Sequence, residues 1–341
     1  MIPAAQRGVA ALLRARCAGS GPDQSTPVGE VETALSVVFL GADEAFKLRK
    51  AVRLNFVDFT DPAARRRAAE RELALNAPAV PRLYRGVVAL TRAPDGTLAF
   101  DGSDEGAEGE AVEWVVRMAR LPPEAFLERL APERLTLELL DSIGDAVAAW
   151  HARAEPVACD IVAVMDALVE SNAASARGEG LEEARIAAWQ AGMRAALAAR
   201  RTWMVRRGAA GFVRRCHGDL HLGNFCFWQG RPAPFDALEF DEALACIDTG
   251  YDLAFLLVDL ELKAGRAAAN RVLNRYVART GDAGLVGGLA PFLSLRAMVR
   301  AHCLARMGER AAAARALAAA EAALVPVPAV AVAGGGLPGV G

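Results

Sequence analysis

Long apolar runs are missing from this 341-residue chain. No stretch approaches the roughly 20 residues that a membrane-spanning helix needs, and the apolar segment from Phe255 to Leu262 is far shorter and acidic. The hydrophobic fraction is nonetheless 53%. Much of that is alanine, which favours helix rather than membrane. The Ala/Leu-rich N terminus is interrupted by Arg7, Arg14 and Arg16 and so lacks the apolar core of an export signal. Net charge is nearly absent, at -2 with a pI of about 6.2. That balance argues against a nucleic-acid partner, even where Trp203 and Met204 stand among Arg200, Arg201, Arg206 and Arg207. That stretch reads as a solvated helix face with one buried stripe. A disulfide framework is also absent, because the six cysteines are scattered and point to free thiols in a reducing compartment. Together these absences lead to an expectation of a cytoplasmic chain, long enough for two lobes around a sizeable core.

Lysine is scarce too. Of 39 Lys plus Arg, the lysines are Lys47, Lys50 and Lys263 alone, so a lysine that survives where arginine has taken over is a candidate for chemistry that a guanidinium fork fits differently. Lys47 lies in a strand-like stretch, Ala45-Phe46-Lys47-Leu48-Arg49, after a Gly41-Ala42-Asp43 turn. An ammonium placed there can pair with nucleotide phosphates, while the alternative is an edge-strand lysine that guards against aggregation.

The most informative stretch is Cys216-His217-Gly218-Asp219-Leu220-His221-Leu222-Gly223-Asn224. Asp219 and Asn224 stand five apart, the spacing of a phosphotransferase catalytic loop. In such a loop an aspartate orients and deprotonates a hydroxyl, and an asparagine oxygen holds magnesium on the nucleotide phosphates. A competing reading takes Cys216, His217, His221 and Cys226 as zinc ligands, although adjacent Cys216 and His217 chelate poorly together. After Asn224, Phe225 to Trp228, the turn Gln229-Gly230 and Ala233 to Asp236 read as a short hairpin ending in a carboxylate.

The loop resembles that of the aminoglycoside phosphotransferase family, which writes H-G-D-x-x-x-x-N within a protein-kinase-like fold. The resemblance implies ATP and Mg2+ as cofactors, with Asp219 and His217 as the catalytic residues. It places Asn224 and Asp236 on the metal and the nucleotide, with Glu239, in Leu238-Glu239-Phe240, as the substitute or the partner of Asp236. It also implies a helix carboxylate to hold Lys47. Asp61 to Leu75 reads as that helix, with Asp61 as N-cap and Pro62 at its first position. Glu70 and Glu72 lie about 200° apart on a helical wheel, so one alone can face the strand. Arg71 to Asn76 is similar to the helix of one subgroup of the family, which favours Glu72. The same subgroup resemblance covers Val31 to Leu40 and Phe56 to Phe59, with Ala34 where members often carry histidine.

The implied fold is α+β, a two-lobe kinase-like plan with a small antiparallel sheet lobe and a larger helical lobe. The boundaries expected are 1–30 as an N-terminal extension, 31–121 as the nucleotide-binding lobe, 122–324 as the catalytic helical lobe and 325–341 as a linker. Period-two alternation marks Arg82 to Leu90 and Val112 to Met118 as sheet, and a polar turn region runs from Asp101 to Glu110. Helical spacing fills 123–154, 160–176, 181–208 and 252–324. By resemblance, the backbone near Arg117 to Arg120 faces adenine. Asp252 reads as a helix N-cap or first-turn aspartate, His151 as a packing or capping residue at a helix end, and His302 as ordinary helix. Asp241, Glu242, Asp259 and Glu261 suit either a cationic aminoglycoside or solvent.

The last 17 residues suggest a stiff Val325-Pro326-Val327-Pro328 linker, an apolar strand from Ala329 to Ala333, and a glycine run that opens a P-loop without its Lys and Ser/Thr. The subgroup often continues into a P-loop domain, so the expectation is a chain cut at that junction, with a Gly-rich tail as the other reading. The activity implied is ATP-dependent transfer of a phosphoryl group to the hydroxyl of a small molecule. The rival is a non-catalytic nucleotide-binding module serving a P-loop partner domain.

Overall fold

A computed structural model describes residues 1–19, 29–54, 57–101 and 109–325. The expected P-loop opening and most of the acidic turn region lie outside the described residues, as does Phe56. Helix α1 (Arg7–Ala18) precedes strands β1 (Gly29–Glu32), β2 (Ser36–Leu40) and β3 (Glu44–Arg49). The short ladder β4 (Arg53–Leu54) with β5 (Val57–Asp58) leads to α2 (Pro62–Asn76), followed by β6 (Tyr84–Arg92), β7 (Leu98–Phe100) and β8 (Glu110–Ala119). Six of these strands form one antiparallel sheet in the order β1-β2-β3-β8-β6-β7.

Alternation along the strands separates two buried faces. Phe46 and Leu48 of β3 join Val37, Phe39, Leu90 and Val115 under α1, which contributes Val9, Ala10, Leu13 and Cys17. The segment read as an extension therefore closes one face of the sheet. It is also tied in by Gln6, whose amide donates to the Arg49 carbonyl at 2.7 Å and to Glu113 at 2.8 Å and accepts from the Ala51 N–H. Lys47, between Phe46 and Leu48, faces the other way, toward α2 and the second lobe. Helix α2 begins as the sequence indicates, with the Asp61 carboxylate accepting the Ala63 N–H and Pro62 at the first position.

The helical lobe starts later than its periodicity suggests. Residues 123–134 form three single 3-10 turns, and α3 (Leu137–Arg153) begins only where Thr136 caps it. Pro122, Pro123 and Pro132 withhold N–H groups that a continuous helix would need. Then come α4 (Ile161–Gly178), α5 (Glu183–Ala209), β9 (Val213–Arg215), the hairpin β10 (Phe225–Trp228) with β11 (Arg231–Pro234), α6 (Glu242–Ala245) and β12 (Cys246–Asp248). The chain continues as α7 (Thr249–Ala264), α8 (Arg266–Thr280), α9 (Leu289–Arg306) and α10 (Arg310–Leu324). The hairpin turns where the sequence indicates, with Gln229 and Gly230 both at positive φ, as a two-residue turn between twisted strands requires. One large apolar core joins α3, α4, α5, α7, α8 and α9. Among the described residues no helix is long and apolar enough to cross a membrane.

Candidate active site

A cleft of about 310 Å3 separates the lobes. The sheet lobe contributes Val38, Ala45 and Lys47 to its walls, the connection contributes Met118 to Leu121, and the helical lobe contributes Asn224, Phe235 and Asp236. Of the connecting backbone, the Ala119 and Arg120 N–H groups are engaged by the carbonyls of Leu83 and Asp43 at 2.8 and 3.0 Å. Leu121 is the first residue beyond them to line the cleft.

Lys47 sits at the centre of the polar wall with its side chain 9% exposed. Its ammonium donates to Glu72 Oε1 at 2.8 Å and to Asp236 Oδ1 at 2.6 Å. Burial disfavours that charge, but the Asp236 and Glu72 carboxylates outweigh it and raise the lysine pKa. Glu72 is wholly buried, whereas Glu70 is exposed and pairs with Arg66 one turn away. The second oxygen of Glu72 accepts from Arg49 Nη2 at 2.6 Å, and Arg49 also pairs with Glu239. Glu239 thus lies against Arg49, and burial pushes its carboxyl up to about 7. Asp236 occupies the left-handed backbone region at φ 60°, a strained conformation for a non-glycine residue. Two contacts over-determine it: its N–H reaches the Tyr84 hydroxyl at 3.3 Å, and the next N–H, of Ala237, donates to Asn76 Oδ1 at 2.9 Å. Asn76 Nδ2 in turn donates to the Glu72 carbonyl at 2.8 Å.

The loop carrying Asp219 is framed by β9, which pairs with β12. Its backbone is held by Asp252, whose two oxygens accept the N–H groups of His217 at 3.0 Å and Gly218 at 2.9 Å. Asp252 belongs to the first turn of α7, while Asp248 is the cap. Burial alone would raise the Asp252 pKa, but the hydrogen bond from His151 and neighbouring charges lower it. His151 bridges Asp252 and the Tyr276 hydroxyl at 3.0 and 2.9 Å. Gly218 turns at φ 86° against Leu238, whose Cβ would lie 3.0 Å from any Cβ placed there. His217 is fully buried and reaches the Phe235 carbonyl at 3.0 Å, joining the loop to the hairpin that presents Asp236.

Asp219, with its side chain 44% exposed, lines a pocket that adjoins the cleft and shares Lys47 and Asp236 with it. Its carbonyl and Oδ2 accept from Asn224 Nδ2 at 2.8 and 3.1 Å. His221 Nε2 stands 3.5 Å from the same carboxylate, and His221 Nδ1 accepts the Gly223 N–H. The protein around Asp219 opposes its charge, yet His221, His217 and Arg296 hold the carboxyl below the usual range. An ionised aspartate with one side open to that pocket can accept a proton from a bound hydroxyl.

The structure therefore brings Lys47, Glu72, Asp236 and Asn224 to one cleft and Asp219 to an adjoining pocket that shares Lys47 and Asp236 with it and that Glu239 also lines, with His217 behind them. The zinc set does not assemble: Cys226 is packed among apolar residues, and Cys216 donates to the Ile247 carbonyl. Among the described residues the group with metal-ligating spacing is His151, Cys216 and Asp252, where His151 and Asp252 are already bonded to each other. Sequence reasoning missed Arg49, Asn76 and Tyr84. The first two had a signal: Arg49 shares a strand face with Lys47, and Asn76 lies one turn beyond Glu72.

No family model matches the chain. An uncharacterized protein of Mycobacterium tuberculosis is 29% identical over 283 residues, which cover 79% of this chain and 53% of the relative. A counterpart in Mycobacterium bovis gives the same figures. The chain spans about half the length of these curated relatives. Among solved structures, a choline kinase from Cryptosporidium parvum superposes with a TM-score of 0.54 at 8% identity, over 92% of this chain and 95% of that one. A choline/ethanolamine kinase family protein from Mesorhizobium loti gives 0.50 at 17%, over 94% and 95%. The GDP complex of aminoglycoside 2'-phosphotransferase-IIIa gives 0.50 at 15%, over 94% and 99%. An antiparallel sheet lobe followed by a large helical lobe is thus the kinase-like fold shared by choline kinases and aminoglycoside phosphotransferases.

Proposed function

We propose that this chain is an ATP-dependent phosphotransferase acting on a hydroxyl of a small molecule. The observation that carries the reading is the convergence, from four separate stretches of chain, of Lys47, Glu72, Asn224 and Asp236 on one cleft and of Asp219 on the adjoining pocket that shares Lys47 and Asp236 with it. In this reading Lys47, fixed by Glu72, takes up the nucleotide phosphates, and Asp219 orients the acceptor hydroxyl. The hydroxyl oxygen bonds to the γ-phosphorus, the bond from that phosphorus to the β–γ bridging oxygen breaks, and ADP leaves with the electron pair. The hydroxyl proton passes to Asp219. Because such a transfer is mainly positioning and charge neutralisation, these few side chains carry most of the effect.

The donor set also suits magnesium. Asn224 has its amide nitrogen turned to Asp219, which leaves its oxygen as a hard donor, and Asp236 adds carboxylate oxygens. Lys47 and Arg49 face three carboxylates, those of Glu72, Asp236 and Glu239, with the Asp219 carboxylate acting on Asp236 as well, and a divalent cation offsets that excess. Asn224 and Asp236 would hold the ion, which when bound neutralises charge on the transferring phosphoryl group. Glu239 then serves as a partner of Arg49 behind the ligands.

The test is thermal stability with ATP and magnesium, together with ADP release over an acceptor panel. At about 100 times its dissociation constant a ligand adds roughly 2.7 kcal/mol. A magnesium-dependent shift in the wild type, lost in Lys47→Ala, is expected. No shift in the wild type removes the nucleotide reading, and turnover unchanged in Asp219→Asn removes Asp219 from the chemistry.

A further inference from the structure

A second cavity, of about 260 Å3, opens beside the catalytic loop on the side of the helical lobe. Leu222, three residues from Asp219, forms its inner wall, and Glu128 lines both this cavity and the nucleotide cleft. The two spaces meet at Glu128, which packs so closely on the loop that a Cβ at Gly223 would lie 2.7 Å from its Oε2. His221 joins the same region to the catalytic carboxylate, since it stands beside Asp219 and feels the charges of Asp259 and Arg300.

Three helices each send one cation to this cavity: Lys263 from α7, Arg300 from α9 and Arg315 from α10. Its buried carboxylate is already engaged. Asp259 accepts the Leu222 N–H at 3.1 Å and pairs with Arg300 at 2.8 Å. Lys263 donates to the Glu128 backbone carbonyl at 2.7 Å, which leaves its charge unmatched by a carboxylate. Arg315 is exposed and makes no ion pair among the described residues. Lys263 and Arg315 thus outnumber Glu128. Of the other acidic residues that suited a cationic acceptor, Asp241 caps α6 and Glu242 pairs with Arg71 and Arg215.

We propose that this cavity receives the anionic end, a carboxylate or a phosphate, of the acceptor, so that the substrate class is an acidic alcohol. The inference rests on the phosphotransferase reading for the acceptor's role, but its anion site is measurable without it. Arginine presents a fork that matches carboxylate and phosphate oxygens, and an ammonium acceptor would meet Lys263 and Arg315 as like charges. The cavity's Leu222 wall places a molecule anchored there beside the loop that carries Asp219.

Calorimetric titrations with inorganic phosphate and, separately, with glycerate test the site in the wild type, Arg315→Ala and Arg315→Lys. Arg315 is exposed, so its replacement leaves the fold intact. Binding weakened at least tenfold in Arg315→Ala, partly restored in Arg315→Lys and kept in Lys47→Ala is the expected result. Tighter glycerate identifies a carboxylate end, and tighter phosphate a phosphate end. No saturable binding, or binding indifferent to Arg315, overturns the proposal, as does faster ATP consumption with choline or kanamycin than with acidic alcohols. Arg315-dependent anion binding in a protein that ATP and magnesium fail to stabilise instead sinks the phosphotransferase reading and leaves the anion site standing.

Discussion

Asn76 stands behind the candidate site and is joined to it by two hydrogen bonds. Its amide oxygen holds the N–H that follows Asp236, and its nitrogen holds the carbonyl of Glu72. Asn76→Leu keeps the volume roughly constant but strands the Ala237 N–H, at a cost of about 1–3 kcal/mol. Urea denaturation should show that loss, and kcat should fall by about tenfold, the 1.4 kcal/mol equivalent, with nucleotide affinity little changed. An equal fall in affinity and none in kcat would contradict this role. Asp252 is a harsher case, because it is buried and serves two loop N–H groups as well as His151. Asp252→Ala should cost about 3–5 kcal/mol, the penalty for breaking a buried charged network, read as a lowered urea midpoint. Lys47 and Asp219 were legible because their spacing and scarcity mark them locally. Tyr84 and Asp252 acquire their roles from residues more than 30 positions away, and nothing in their own neighbourhood announces it, whereas Asn76 was announced only by its place one turn beyond Glu72.

Helices α3 and α8 cross where Gly144 faces Arg275 and Val272. A Cβ at Gly144 would lie 2.9 Å from the Arg275 Cβ and 3.1 Å from the Val272 carbonyl oxygen, neither of which is a flexible tip. Gly144→Val should therefore destabilise by about 1–3 kcal/mol through overpacking, measured as a shift in urea midpoint with the dependence on denaturant unchanged. An unaltered midpoint would mean that the pair separates at no cost. At this scale the sequence announces α2 in full, since cap, proline and alternating burial agree on it. It misleads over 123–136, where leucine spacing imitates a helix that three prolines prevent. It also understates α1, whose apolar positions have no visible partner until the sheet is assembled.

For the whole molecule, acid sensitivity comes from buried groups that pull in opposite directions. His302 joins α9 to α4 through Asn172, and burial lowers its pKa to about 4. A histidine held neutral in the fold and free to charge when unfolded stabilises fully above about pH 6.5 and loses that contribution as pH falls toward 4. The loss is up to about 3 kcal/mol. Glu239, whose carboxyl is raised, works in the opposite direction over part of the same range. The informative quantity is therefore a difference: the fall in urea stability between pH 7 and pH 5 should be steeper in the wild type than in His302→Leu. Parallel slopes would exclude the histidine as the source.

The ammonium of Lys47 has a last consequence at this scale. It rises from the sheet lobe, yet one of its two carboxylate partners, Asp236, belongs to the helical lobe. The two lobes are therefore tied together by the same charge that, on the proposed reading, takes up a phosphate. In the proposed reaction a nucleotide phosphate would compete with Asp236 for that ammonium and so loosen the tie between the lobes.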